Sequence, residues 1–193
     1  SIDQVGVTKN TVVVSLFDNV RGRAMRFTAP QAGQPWQATP LALPDMTSIH
    51  IVDTDHASDT AFLSVEGYLE PSQLWLLEGK GPPRKVKSAP ARFKTDNLVT
   101  EQFWATSTDG TRIPYFIVHR RDIKLNGANP TLLTAYGGFP VSYTPLYAPE
   151  ICPLWLERGG GAVVANIRGG GGFGPARPGA GRKSGRPTVH ADF

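Results

Sequence analysis

Tyr136-Gly137-Gly138-Phe139 holds the residue types of this 193-residue chain that most directly suggest chemistry. A tyrosine hydroxyl can donate a hydrogen bond to an oxyanion that develops in a transition state. Tyr136 follows Thr131-Leu132-Leu133-Thr134-Ala135, an apolar run that reads as a buried strand. A second apolar strand, Ala162-Val163-Val164-Ala165-Asn166-Ile167-Arg168, runs into Gly169-Gly170-Gly171-Gly172. Two parallel-type strands that each end in glycine place adaptable backbone at the carboxyl edge of a sheet, where open α/β folds put their sites. The plainer reading of Tyr136 is an aromatic residue at a strand end that packs and bonds locally. Gly137 and Gly138 taken alone mean only an unusual backbone.

Competing chemistries fit the chain less well. Gly169-Gly170-Gly171-Gly172-Phe173-Gly174 matches the spacing of a dinucleotide-binding loop, with Asp192 further on. Such glycines should open an apolar-faced helix. Here Pro175, Pro178, Gly179, Gly181, Gly185 and Pro187 interrupt the segment, and no apolar strand precedes Asp192. A Walker loop fails because Arg182 lies between Gly181 and Lys183-Ser184. No serine stands in G-x-S-x-G, so the chain has no nucleophile elbow. His50, His56, His119 and His190 are isolated, without metal-ligand spacing, and His119 reads as a surface residue at a strand end. The lone Cys152 excludes an internal disulfide and a cysteine-rich metal site, and reads as a buried thiol. No cofactor and no metal are expected.

The elements that must position Tyr136 can be read along the chain. Short runs bounded by Asp, Gly, Pro or Asn predict strands at 11–17, 24–28, 48–52, 61–68 and 73–78. Strands at such intervals with no helices between them suggest a sandwich, barrel or propeller. Residues 79–90, rich in Gly, Pro, Lys and Arg, read as a turn or linker, with a domain boundary near 88–97. Thr100 to Ser107 and Arg112 to His119 flank Asp109-Gly110, a strong hairpin signal. Pro114 argues that its strand lies at an edge or that it sits near the strand's start. Residues 147–158 fit a short amphipathic helix. Hairpin, strand, helix, strand is the opening of an α/β domain.

Charge and composition narrow the partners. Net charge is +4, with 21 Gly and 17 Pro favouring turns over long helices. Arg177, Arg182, Lys183 and Arg186 form a basic stretch, but no aromatic residue is interleaved for base stacking, so nucleic acid is not an expected partner. No apolar run reaches the roughly 18 residues of a membrane span, so no membrane partner is expected either. No signal peptide is visible and the chain starts at Ser1, which fits a processed or partial chain. The expected compartment is the cytoplasm, with the periplasm as the alternative.

Several segments together resemble the prolyl oligopeptidase family of serine peptidases. They are Glu101-Gln102-Phe103-Trp104-Ala105-Thr106-Ser107-Thr108-Asp109-Gly110-Thr111-Arg112-Ile113-Pro114, Asn129-Pro130-Thr131-Leu132-Leu133, Tyr136-Gly137-Gly138-Phe139 and Ala165-Asn166-Ile167-Arg168-Gly169-Gly170-Gly171. The resemblance implies the end of a β-propeller over residues 1–90, followed over 91–193 by the truncated start of an α/β-hydrolase domain. It implies an enzyme that cleaves short peptides after proline with a Ser-Asp-His triad. Tyr136 would then be the hydroxyl donor of the oxyanion hole and Phe139 would line the pocket near the scissile residue. Gly137, Gly138, Asn166 and Arg168 would organise the loops. This sequence departs from the family pattern at Gly172, where an acid is usual, and at Arg177-Pro178, where Trp-His is usual. Ala191-Asp192-Phe193 stands where the family has paired aspartates before phenylalanine. The triad would lie outside the chain, which alone is expected to be inactive. The alternative from a different class is a non-catalytic peptide-binding or interaction module.

Overall fold

Asn19 and Val20 both have left-handed backbone, with φ of 50° and 69°. Two such residues in a two-residue loop make the turn that matches strand twist, so the chain must fold back on itself there. The loop joins β2 (Thr11–Asp18) to β3 (Arg21–Thr28) with Asp18 opposite Arg21. Val20 is β-branched and ill suited to positive φ, yet its side chain is fully buried. The computed structural model describes residues 1–30, 34–124, 126–136, 143–148, 152–169 and 186–193. It divides into two compact units, one of residues 1–90 with 145–147 and the other of residues 91–144 with 148–193.

The first unit holds two antiparallel four-stranded meanders. One runs β1 (Ile2–Val7), β2, β3, β4 (Gln37–Pro40) in sequence order. The other runs β5 (Thr47–Thr54), β6 (Thr60–Gly67), β7 (Gln73–Glu78), β8 (Arg84–Ser88). β6 alternates half-buried and buried residues along its length, the period of two that a pleated strand imposes. Val13 and Ala24 from the first meander, and Leu41 just after β4, share one core with Ile49, Ala61, Leu63, Val65 and Leu77 of the second. Gly22 lets the meanders approach. A Cβ there would come 2.6 Å from the Thr47 carbonyl oxygen and 2.8 Å from the Ile49 nitrogen.

Polar clamps tie turns together across these meanders. Arg26 on β3 is buried, and its guanidinium donates to the carbonyls of Gly79 (2.7 Å), Lys80 (2.7 Å) and Gly81 (2.9 Å) in the β7–β8 turn. Its charge is thus met by aligned carbonyl dipoles, which lowers the cost of burying it. Asp59 accepts from the Thr8 hydroxyl, the Asn10 amide N–H and the Asn10 side chain, joining the β1–β2 and β5–β6 turns. The Ser48 hydroxyl donates to the Pro145 carbonyl at 2.7 Å, and Glu66 accepts from the Tyr147 N–H at 2.8 Å.

The second unit is built on a four-stranded mixed sheet in the order β11-β12-β10-β9. β9 (Leu98–Thr106) and β10 (Arg112–Arg120) form the hairpin expected at Asp109-Gly110, with Gly110 at φ 82°. β12 (Gly161–Ala165) pairs antiparallel with β10, and β11 (Thr131–Ala135) pairs parallel with β12. Ile113, Ala165, Ile167 and Val189 form a core in this unit. Val189 belongs to a short helix, α1 (Arg186–Asp192). Pro114 is the third residue of a central strand, and pairing of β10 with β12 begins only at Tyr115. Its missing N–H therefore removes no bond from that ladder.

Four sequence expectations need correction. Residues 84–88, read as linker, form the edge strand β8. Its Arg84, Lys85 and Lys87 are exposed, and charge of this kind keeps an edge from pairing with other chains. The helix expected over 147–158 is only a π-helical turn, Cys152–Leu156, among the described residues. Glycine ends it. Gly160 leaves room for the Trp155 indole, whose N–H donates to the Gly161 carbonyl at 2.8 Å. β11, expected to be buried, carries exposed Leu132 and Leu133 because it stands at the sheet's edge. The strand expected to reach Arg168 stops at Ala165. Among the described residues no helix is long and apolar enough to cross a membrane, which says nothing of membrane β-barrels.

Candidate functional site

β11 and β12 run parallel with Ala135 opposite Ala165. The residues that follow, Tyr136 on one strand and Asn166 on the other, therefore emerge side by side at the carboxyl end of the sheet. Tyr136 is half-buried. Its ring stacks on Tyr143, with centroids 5.6 Å apart and planes 25° apart. Gly137, Gly138 and Phe139 lie outside the described residues.

Asn166 is buried and is held at both ends. Its amide N–H donates to the Pro114 carbonyl at 3.0 Å. Its side-chain Nδ2 donates to the Tyr143 carbonyl at 2.8 Å. Its Oδ1 is buried with no hydrogen-bond partner among the described residues. Asn166 thus grips the segment that stacks on Tyr136. The glycine loop after β12 begins at Gly169, whose φ of 95° favours glycine.

Arg168 stands just before that loop and carries the densest polar cluster of the unit. Its backbone N–H donates to Asp192 Oδ2 at 2.9 Å. Its Nε reaches the same carboxylate at 2.8 Å and Nη2 reaches Oδ1 at 2.6 Å. Nη1 donates to Asp109, and Nη2 also to the Ser107 hydroxyl at 3.2 Å. The fork-shaped guanidinium suits this bidentate grip. It joins the β9–β10 turn to α1 at the start of the glycine loop. Hydrogen bonds from Arg168 hold the Asp109 carboxyl well below the usual carboxylate range. Burial pushes Asp192 up, but the bonds from Arg168 and Ser107 outweigh it and leave that carboxyl lowered. Both carboxylates, Asp192 first, raise Arg168.

The arrangement puts Tyr136 and Asn166 after paired positions of neighbouring parallel strands, and it ties Arg168 to Asp109, Ser107 and Asp192. Sequence reasoning missed Tyr143, which no local pattern distinguishes. Asp109 reads from the sequence only as a turn residue, because its pairing with Arg168, 59 residues away, depends on tertiary placement. His119, expected at the surface, is buried. Its Nε2 lies 2.8 Å from Glu101 Oε2 and its Nδ1 2.7 Å from the Arg120 carbonyl. Glu101 lies diagonally across the β9–β10 ladder on the same face, a position from which it can meet the ring. No group of described His, Cys, Asp and Glu residues is arranged to hold a metal.

Known proteins extend this picture. No family model matches the chain. An uncharacterized peptidase of Sinorhizobium fredii is 46% identical over 187 residues, covering 96% of this chain and 26% of the relative. A prolyl endopeptidase of Elizabethkingia miricola is 36% identical over 133 residues, 68% of this chain and 19% of the relative. The solved structure of a post-proline cleaving enzyme from Rickettsia typhi matches all of this chain with a TM-score of 0.84 and 33% identity, over 28% of its own length. A prolyl endopeptidase structure matches with a TM-score of 0.87 and 28% identity, again over 28% of its length. The chain therefore spans between a fifth and just over a quarter of these relatives.

Proposed function

We propose that this chain, which belongs to the prolyl oligopeptidase family of serine peptidases, carries the oxyanion donor of an enzyme that cleaves short peptides after proline. Residues 1–90 are the last blades of its propeller, and residues 91–193 open its α/β-hydrolase domain. The observation that carries the reading is the position of Tyr136. It directly follows β11, which runs parallel to β12, and so stands across from Asn166, a few residues before the second glycine loop. That edge is where such folds assemble sites.

In this reading a serine supplied from outside these residues attacks the scissile carbonyl, and negative charge gathers on the carbonyl oxygen. Tyr136 donates its hydroxyl to that oxygen, a bond that strengthens as the charge develops. Phe139 lines the pocket near the scissile residue. Gly137 and Gly138 are assigned to organising the first loop and Arg168 to bracing the second. The aspartate and histidine of the triad also come from outside these residues, so residues 1–193 alone turn over nothing.

The test uses the longer protein that contains this segment. It is assayed with a short blocked peptide carrying proline before the scissile bond, with the alanine counterpart as control, and with a fluorophosphonate that labels reactive serines. Cleavage after proline together with serine labelling is expected. Peptide binding with neither turnover nor labelling would favour the non-catalytic binding module and overturn the reading.

A further inference from the structure

We infer that Tyr143 and Asn166 are positioning residues for Tyr136, and that together they fix the angle at which its hydroxyl meets the reacting carbonyl. The inference rests on the reading of Tyr136 as oxyanion donor. It adds the device that aims it.

A tyrosine at the end of an edge strand is poorly constrained. Tyr136 is only half-buried, and its strand has exposed leucines at Leu132 and Leu133. Left alone, its side chain would sample several rotamers, and a hydrogen bond that must form in the transition state would first have to select one of them. Tyr143 supplies the missing constraint. Its ring lies 5.6 Å from that of Tyr136 and nearly parallel to it, an offset-stacked distance. Tyr143 is itself 41% exposed. A ring left that open contributes little as core, so its contact with Tyr136 is better explained by orientation than by burial.

A stacked ring can orient its neighbour only if it is itself held. Asn166 does this. Its Nδ2 donates to the Tyr143 carbonyl at 2.8 Å, while its backbone N–H is bonded to the Pro114 carbonyl in the central strand β10. The chain of contacts runs from the sheet interior through Asn166 to the Tyr143 backbone, then through the Tyr143 ring to Tyr136. Asn166 is 6% exposed and its Oδ1 has no partner among the described residues. A purely structural site would be better served by an apolar side chain. The amide is explained if its N–H₂ donor is what the position needs.

The experiment uses steady-state kinetics of the full-length protein on a proline-containing peptide, with thermal unfolding followed in parallel. Tyr143→Leu removes the stacked ring and should lower kcat about tenfold while KM changes less than about twofold, the signature of an interaction used in the transition state. Tyr143→Phe keeps the ring and should restore most of that rate. Asn166→Asp keeps size and removes the donor, so it should reproduce the loss; it carries the test if Tyr143→Leu does not fold. The double variant Tyr136→Phe/Tyr143→Leu should be no slower than Tyr136→Phe alone, because nothing is left to aim. A full kcat in Tyr143→Leu, or an equal further loss in the Tyr136→Phe background, would overturn the positioning role when Tyr136→Phe is itself impaired. An unimpaired Tyr136→Phe would instead remove the oxyanion reading on which the inference stands.

Discussion

Arg168 spends its donors on two acids and a hydroxyl, and its own N–H also meets Asp192. The Asp192 side chain is wholly buried. Removing the Asp192 charge leaves the buried Arg168 guanidinium with only the more exposed Asp109 as counter-ion, which costs more than the intact cluster contributes. Asp192→Asn should therefore destabilise the protein by about 3 kcal/mol at pH 7, read as a urea unfolding free energy. The pH dependence has a definite sign. Asp109 and Asp192 both titrate lower in the fold than an unperturbed carboxyl. Their contribution is complete above the unfolded value of about 4 and fades as pH falls through the folded values. Arg168 is shifted upward, so it stays charged throughout and adds no slope in this window. The wild type should lose stability in acid below about pH 4. The loss should be shallower in Asp192→Asn. Equal slopes in the two proteins would show that the carboxylate is not engaged as described.

The strands, taken as elements, depend on close approach as much as on hydrophobic pattern. Gly22 faces the backbone of Thr47 and Ile49, not a side chain that could swing away. Gly22→Ala should therefore push the two meanders of the first unit apart and cost about 2 kcal/mol, the scale of an overpacked core. Differential scanning calorimetry would show it; an unchanged transition would mean that the meanders do not pack at this separation. Much of this level was legible in the sequence. The strands β2, β6 and β7 follow from short apolar runs bounded by turn residues, and β9 and β10 from Asp109-Gly110; the period of two that the pleat imposes shows cleanly in β6. β8 was hidden because a charged edge strand looks like linker. β4 was hidden because four exposed residues carry no hydrophobic pattern. Among the described residues the expected helix runs past its observed C-terminal end at Leu156, because helical periodicity in a short window does not register the turn toward Gly159 and Gly160. At the site, Tyr136 was visible from the glycines behind it. Tyr143 was not, because its role comes from a ring contact that depends on tertiary placement.

At the scale of the whole molecule, the chain has two units, each with its own hydrophobic core. It matches relatives that are about four times as long. The account turns on one atom, the Tyr136 hydroxyl. Tyr136→Phe deletes that oxygen and keeps the ring that stacks on Tyr143. Measured in the full-length protein on a proline-containing peptide, the change should lower kcat on the order of 10²-fold, with KM little altered, because the bond is made in the transition state. A kcat equal to that of the wild type would mean that Tyr136 only packs at the end of its strand, and it would contradict the account.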